Sequence, residues 1–224
     1  MRPELRITIV AGLIAALQAC GGGSDGPPPV ATFDADAAFT NALGGAALTG
    51  LKAVDPAGNR YEASLAYTSL PDGSFLGTPI RRSLQTATIG LANTPPAVAT
   101  VTIFYDTRPA RLIGTVSGTG KTTIFSHVSR LPGAGTVGQS GVFAEGVVYA
   151  SLALGPPIGT ETLSWSIEPD TGATATALAC LTSVSRAPGS VSTEKDCFRI
   201  DGAGNISGGT IFVDKPGIVL NFSR

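Results

Sequence analysis

An all-β body, an antiparallel sandwich or barrel of about a dozen short strands with one short N-terminal helix, is the fold class this 224-residue chain predicts. Three observations carry that expectation. Gly (29) and Pro (16) are abundant while charged residues make up only 14%, a turn-rich composition without the charge that drives disorder. Apolar residues return at alternate positions through most of the chain, the spacing that puts one face of a strand on a core. Gly, Pro, Asn and Asp gather between those runs, where the backbone must reverse.

The chain begins differently. Arg2 and Arg6 flank a single acid, Glu4, and Ile7 to Leu17 is an almost unbroken apolar run. That run suits a signal-peptide core and falls short of the ~20 residues a membrane-spanning helix requires. Leu17-Gln18-Ala19-Cys20 follows, with Gly21 after it. This segment resembles the lipobox of bacterial lipoproteins, with Gln18 an uncommon residue at its position. The resemblance implies cleavage before Cys20, a thioether-linked diacylglycerol on its sulfur, and an acylated (palmitate-type) N-terminus. Because Gly21 rather than Asp follows the cysteine, it also implies the outer membrane rather than retention in the inner one. Residues 1–19 are then the signal peptide. Residues 20–32, flexible through Gly21-Gly22-Gly23-Ser24-Asp25-Gly26 and stiff through Pro27-Pro28-Pro29, are the tether, and residues 33–224 form the body.

Asp34 to Leu43 is the one good helix candidate. Asp34 can cap its free N–H groups, Asp36 suits the positive end of its dipole, and Gly44-Gly45 stops it. Such a short helix needs Phe39 and Leu43 to dock on the body. Strands follow. Leu48 to Val54 runs into the turn Asp55-Pro56-Ala57-Gly58-Asn59, and Tyr61, Ala63, Leu65 and Tyr67 alternate with polar partners. Leu70-Pro71-Asp72-Gly73 reads as a second turn. Ser83 to Leu91, Ala97 to Tyr105, Arg111 to Val116 and Thr122 to Val128 are further strands. So are Gly141 to Ala153, with Gly146 at a bulge or bend, and the run around Leu163, Trp165 and Ile167. Ala173 to Thr182, Cys197 to Ile200, Ile206 to Val213 and Ile218 to Phe222 complete a meander. A division into two lobes near 130–140 is compatible with this pattern. Val54-Asp55-Pro56-Ala57-Gly58-Asn59 is echoed by Ile200-Asp201-Gly202-Ala203-Gly204-Asn205, which reads as shared turn chemistry ahead of duplication.

With Cys20 committed to lipid, Cys180 and Cys197 remain as a pair. In an oxidising envelope an even remainder reads as a disulfide, here closing a loop of 16 intervening residues. The stretch it would staple, Ser183 to Asp196, reads as irregular. A metal site or redox pair is the weaker alternative, since the lone His127 lies far off in sequence. From Gly135 onward, and most of all at Glu194-Lys195-Asp196-Cys197-Phe198-Arg199-Ile200-Asp201-Gly202, the chain also resembles a group of Gram-negative envelope lipoproteins. That resemblance carries no activity with it.

Catalytic motifs fail on context. Ser117-Gly118-Thr119-Gly120-Lys121-Thr122-Thr123 has Thr115 where a phosphate-binding loop needs its first Gly, and a strand follows instead of a helix. A Ser-His-Asp hydrolase would have to use His127. Neither Gly22-Gly23-Ser24-Asp25-Gly26 nor Gly138-Gln139-Ser140-Gly141 sits in the strand-to-helix turn such a nucleophile requires. Glu161, Glu168 and Asp170 cluster near Trp165, but alternation sends Glu168 and Trp165 to opposite faces. No catalytic, cofactor or metal site is therefore expected.

Charge is uneven. Arg81, Arg82, Arg108, Arg111, Lys121 and Arg130 fall in residues 73–144 with one acid, Asp106. Gathered on one face, they would suit an anionic glycan or an acidic protein partner, although scattered solubilising charge is the simpler account. The body without residues 1–19 carries 13 basic and 15 acidic residues, a balance that offers nothing to nucleic acid. The expected role is a non-catalytic, lipid-anchored envelope protein that binds or scaffolds. An envelope hydrolase with an unrecognised site is the alternative.

Overall fold

The computed structural model describes residues 30–107, 110–171 and 175–224, so Cys20, the signal and most of the tether lie outside the described residues. One helix, α1 (Ala35–Gly45), precedes an unbroken run of strands. These are β1 (Ala47–Val54), β2 (Arg60–Phe75), β3 (Thr78–Leu91), β4 (Ala97–Thr107), β5 (Ala110–Ser117) and β6 (Thr122–Val128). They continue as β7 (Ser140–Tyr149), β8 (Pro157–Pro169), β9 (Ala177–Ala187), β10 (Ser190–Ile200), β11 (Ile206–Lys215) and β12 (Ile218–Phe222).

Each strand pairs antiparallel with the next, giving one 12-stranded sheet in simple chain order. The sheet curls until its ends meet: Lys52 N donates to the Ser223 carbonyl at 2.8 Å, and Ser223 N donates back to Lys52 at 3.1 Å. The Arg224 side chain adds a bond to the Thr49 carbonyl at 3.1 Å. The result is a nearly closed, barrel-like sheet, one of the two all-β architectures expected. The segment 130–140, considered as a division between lobes, belongs to the connection between β6 and β7, and the sheet continues through it because those strands pair directly.

Alternation assigns the two faces of the wall. Ala63, Leu65 and Tyr67 of β2, Ile167 of β8, Phe198 and Ile200 of β10, and Leu220 and Phe222 of β12 are buried inside. Ser64 and Thr68, or Thr162, Ser164 and Ser166, fall between the inward positions and form the outer wall. On these strands the outer wall is rich in hydroxyls, and the buried inward positions are apolar.

α1 closes one end. The Asp34 carboxylate accepts from Ala37 N at 2.8 Å, the cap expected from sequence, and Phe39 meets Phe143 edge-on at 5.3 Å. Phe33 is stitched to Gly135, and Asp34 N donates to the Gly202 carbonyl, so the chain enters the barrel at this closed end.

Two local expectations are corrected. Residues 70–73 do not turn the chain. β2 runs on to Phe75 through a bulge there, and the reversal falls at Leu76 and Gly77, both at positive φ (49° and 82°). Arg82 stabilises the bulge by donating twice to the Pro71 carbonyl, at 2.9 and 2.8 Å. Nor is Ser183 to Asp196 irregular: β9 and β10 pair without interruption to Ala187↔Ser190, around a turn at Pro188-Gly189.

Candidate functional site

Small barrels of about eight strands are just filled by their own side chains, whereas wider ones enclose space. Twelve strands leave a lumen that α1 fills only at its own end. At the other end a cavity of about 500 Å³ remains, with Phe39 of α1 and Tyr67 among its lining groups. The up-and-down order places the β5–β6 and β9–β10 turns at this end, opposite α1, and Lys121, Arg186 and Ser190 mark the mouth.

The walls combine two chemistries. Val101, Ile103, Leu112, Leu163 and Leu181 are apolar. Against them stand three acids from two strands: Glu161 of β8, and Glu194 and Asp196 of β10. Glu161 is fully engaged, accepting from the Thr123 hydroxyl at 2.8 Å and the Ser183 hydroxyl at 2.8 Å, and so ties β6, β8 and β9 together. Asp196 is 8% exposed. Its Oδ2 accepts one long bond from Gln85 Nε2 at 3.3 Å, and its Oδ1 has no partner among the described residues. Burial, reinforced by the negative charge of Glu194, holds the Asp196 carboxyl well above the ordinary carboxylate range. Burial also raises Glu194; Lys215 opposes that rise and Glu161 adds to it. The buried Tyr67 phenol is raised for the same reasons, burial first and then the two β10 acids.

The residues singled out from sequence are distributed around this cup. Cys180 and Cys197 face each other across β9 and β10 and form the expected disulfide, with Cα atoms 4.0 Å apart. Glu168 lies beside that bridge, but with both sulfurs in the disulfide the trio offers no thiolate to a metal. Glu168 pairs with Lys195 at 2.6 Å. Partial burial pushes its carboxyl up, and the hydrogen bonds from Lys195 and Ser166 outweigh this and leave it lowered. Asp170 is held lowered by Arg199, which donates at 2.7 and 3.1 Å, and by Thr176. Both acids therefore sit in ion pairs on the outer wall, apart from Glu161. Trp165 turns inward, opposite in direction to Glu168 as alternation requires.

His127 is exposed, with its Nδ1 3.1 Å from the neighbouring Ser126 hydroxyl and outside the cavity lining. Ser117 to Lys121 is a tight turn, with Gly120 N donating to the Ser117 carbonyl at 2.8 Å. Of the basic set, Lys121 stands at the mouth. Arg81 and Arg82 are successive on β3 and so face opposite ways; Arg111 stands across from Asp106. Arg130 is close enough to act on Asp36 of α1, and Arg108 lies outside the described residues.

Glu194, Asp196, Tyr67 and Gln85 were not singled out from sequence. A signal existed for the acids: Glu194 and Asp196 keep step with Phe198 and Ile200, the core face of β10. No family model, no curated protein and no solved structure matches the chain.

Proposed function

We propose that this chain is a lipid-anchored, non-catalytic cell-envelope protein, tethered through Cys20 at the outer membrane, which binds a small molecule in its barrel lumen. The observation that carries the binding role is the cavity of about 500 Å³, apolar-walled and open at one end, with polar groups converging on it. The sequence features from Arg2 to Gly21 support export and anchoring. The chain enters at the end closed by α1, so a tether of residues 20–32 would turn the mouth away from the membrane, toward arriving ligand. The single histidine lies outside the cavity, which favours binding over hydrolysis.

Two measurements test this. In a Gram-negative host, globomycin should cause accumulation of a larger precursor, and Cys20→Ala should remove the lipid from the chain. Unchanged processing and continued acylation in the variant would overturn the anchor. Native mass spectrometry of protein extracted from the envelope should show a small-molecule adduct that Ser192→Trp, at the cavity wall, removes. An adduct that persists in that variant would place the ligand elsewhere.

A further inference from the structure

Resting on the lumen reading above, we infer that the ligand is amphoteric, with an amine seated at Asp196 and Glu194 and an anionic group at the rim. A cluster of acids alone would not carry this. The independent observation is Asp196, a residue of the cavity wall that is itself more than nine-tenths buried and whose Oδ1 has no hydrogen-bond partner among the described residues. A group so placed forgoes its hydrogen bond to water and recovers none, a loss that a donor brought by the ligand repairs. Its companion oxygen is served only by the neutral Gln85 amide. An ammonium supplies both missing elements, a donor and a positive charge.

A bare metal ion fits less well. Among the described residues, the only set of three metal-type ligands whose donor atoms lie within 4.8 Å of one another is at the disulfide, so Glu161, Glu194 and Asp196 do not converge as a coordination sphere. Glu161 is in addition occupied by two hydroxyls.

The rim fixes the other end of the ligand. Lys121, Arg186 and Lys215 are exposed at the cavity and make no salt bridge among the described residues. A purely cationic ligand would be repelled there, whereas one with a carboxylate or phosphate at its outer end is attracted. Leu163 and Leu181 stand level with the two β10 acids and give apolar contact beside them, and Glu161, Ser185 and Ser192 lie between that level and the rim.

The test uses the full chain in lipid nanodiscs, with empty discs as the blank, and titration calorimetry against 8-aminooctanoate, octylamine, octanoate and octanol. We expect 8-aminooctanoate to bind at least tenfold tighter than each of the others. Asp196→Asn, which keeps the shape and removes the charge, should bring it down to the octanoate value. Lys215→Gln together with Arg186→Gln should bring it down to the octylamine value. Octylamine or octanoate binding as tightly as 8-aminooctanoate overturns the inference. Four probes binding alike, all blocked by Ser192→Trp, removes the amphoteric ligand and leaves the lumen site intact. Probes indifferent to Ser192→Trp remove both. Should Asp196→Asn misfold, the ranking of the four probes on the unaltered chain still decides.

Discussion

Asp196 occupies a position where a carboxylate weakens the empty protein. It is buried, bonded once at 3.3 Å, and faced by Glu194 on its own strand, Tyr67 of β2 and Gln85 of β3, with Lys215 and Glu161 acting in turn on Glu194. Its raised folded-state pKa means that the native protein keeps a proton the unfolded chain releases above about pH 4. Stability therefore falls as pH rises from there toward the folded value. Asp196→Asn removes the titration and fills the same space. We expect it to stabilise the empty protein by about 1–3 kcal/mol at neutral pH, the scale of one unsatisfied buried group, and to have little effect near pH 4. Thermal melts of both proteins across that range check it. Equal melting temperatures at neutral pH would mean that water already satisfies the carboxylate. The same residue shows what a sequence conveys at this scale. The parity that puts Glu194 and Asp196 on the apolar face of β10 is written in Glu-Lys-Asp-Cys-Phe-Arg-Ile. The cavity they line depends on side chains from nine other strands, which no local pattern holds.

Among the elements, the two echoed turns separate shared chemistry from different duty. In each, the Asp side chain accepts from the backbone two and four residues on, Asp55 at 2.9 and 2.8 Å and Asp201 at 2.9 and 3.0 Å. Each Gly takes positive φ, 85° at Gly58 and 78° at Gly204. The turns lie at opposite ends of the barrel, and only the second carries α1. Asn41 donates to the Gly204 carbonyl at 3.1 Å, and a Cβ on Gly204 would stand 2.6 Å from the Asp34 carbonyl, whereas one on Gly58 meets nothing within 4 Å. Gly58→Ala should thus cost about 1 kcal/mol for its backbone conformation alone. Gly204→Ala should cost about 2–4 kcal/mol, because the overlap with α1 adds to that strain. Denaturant titrations of the pair measure the difference, and equal losses would show that the helix yields freely.

The Asx turns, the helix with its cap, and most strands were legible because each rests on neighbours in sequence. The β9–β10 hairpin was not. Ser183, Ser185, Ser190 and Ser192 line the cavity, so the inward positions that elsewhere announce a strand by apolar residues are hydroxyls here. The cavity thus erased the strand signal of the very hairpin that walls it.

At the scale of the whole molecule, closure is the feature that sequence left open between sandwich and barrel, since it joins Lys52 to Ser223 across nearly the full chain. It is also the weakest line in the wall. Most neighbouring strands share long ladders, β5–β6 with three pairs being the shortest, and β9–β10 holds an unbroken one reinforced by the disulfide. At the seam, one reciprocal pair of backbone bonds and the Arg224 contact to Thr49 join β1 to β12. Burial inside the wall, by Leu48, Leu51, Leu220 and Phe222, does the remaining work there. Val54 and Val219 are left largely exposed on the two edge strands. Local opening follows the element with the fewest interactions to break. The Lys52 and Ser223 amides should therefore exchange with solvent at least about tenfold faster than those of Cys180 and Cys197, a difference of about 1.4 kcal/mol in opening free energy. Removing the Phe222 ring by Phe222→Ala should cost about 3–5 kcal/mol and widen the gap further, since the ring is fully buried at the seam. Hydrogen exchange read by mass spectrometry resolves these segments. Slower exchange at Lys52 and Ser223 than in the disulfide hairpin would mean that the barrel opens first elsewhere, with the mouth at β9–β10 the next place to look. A bound ligand bridging Asp196 to the rim would then protect that hairpin and leave the seam unchanged, because none of its contacts reach β1 or β12.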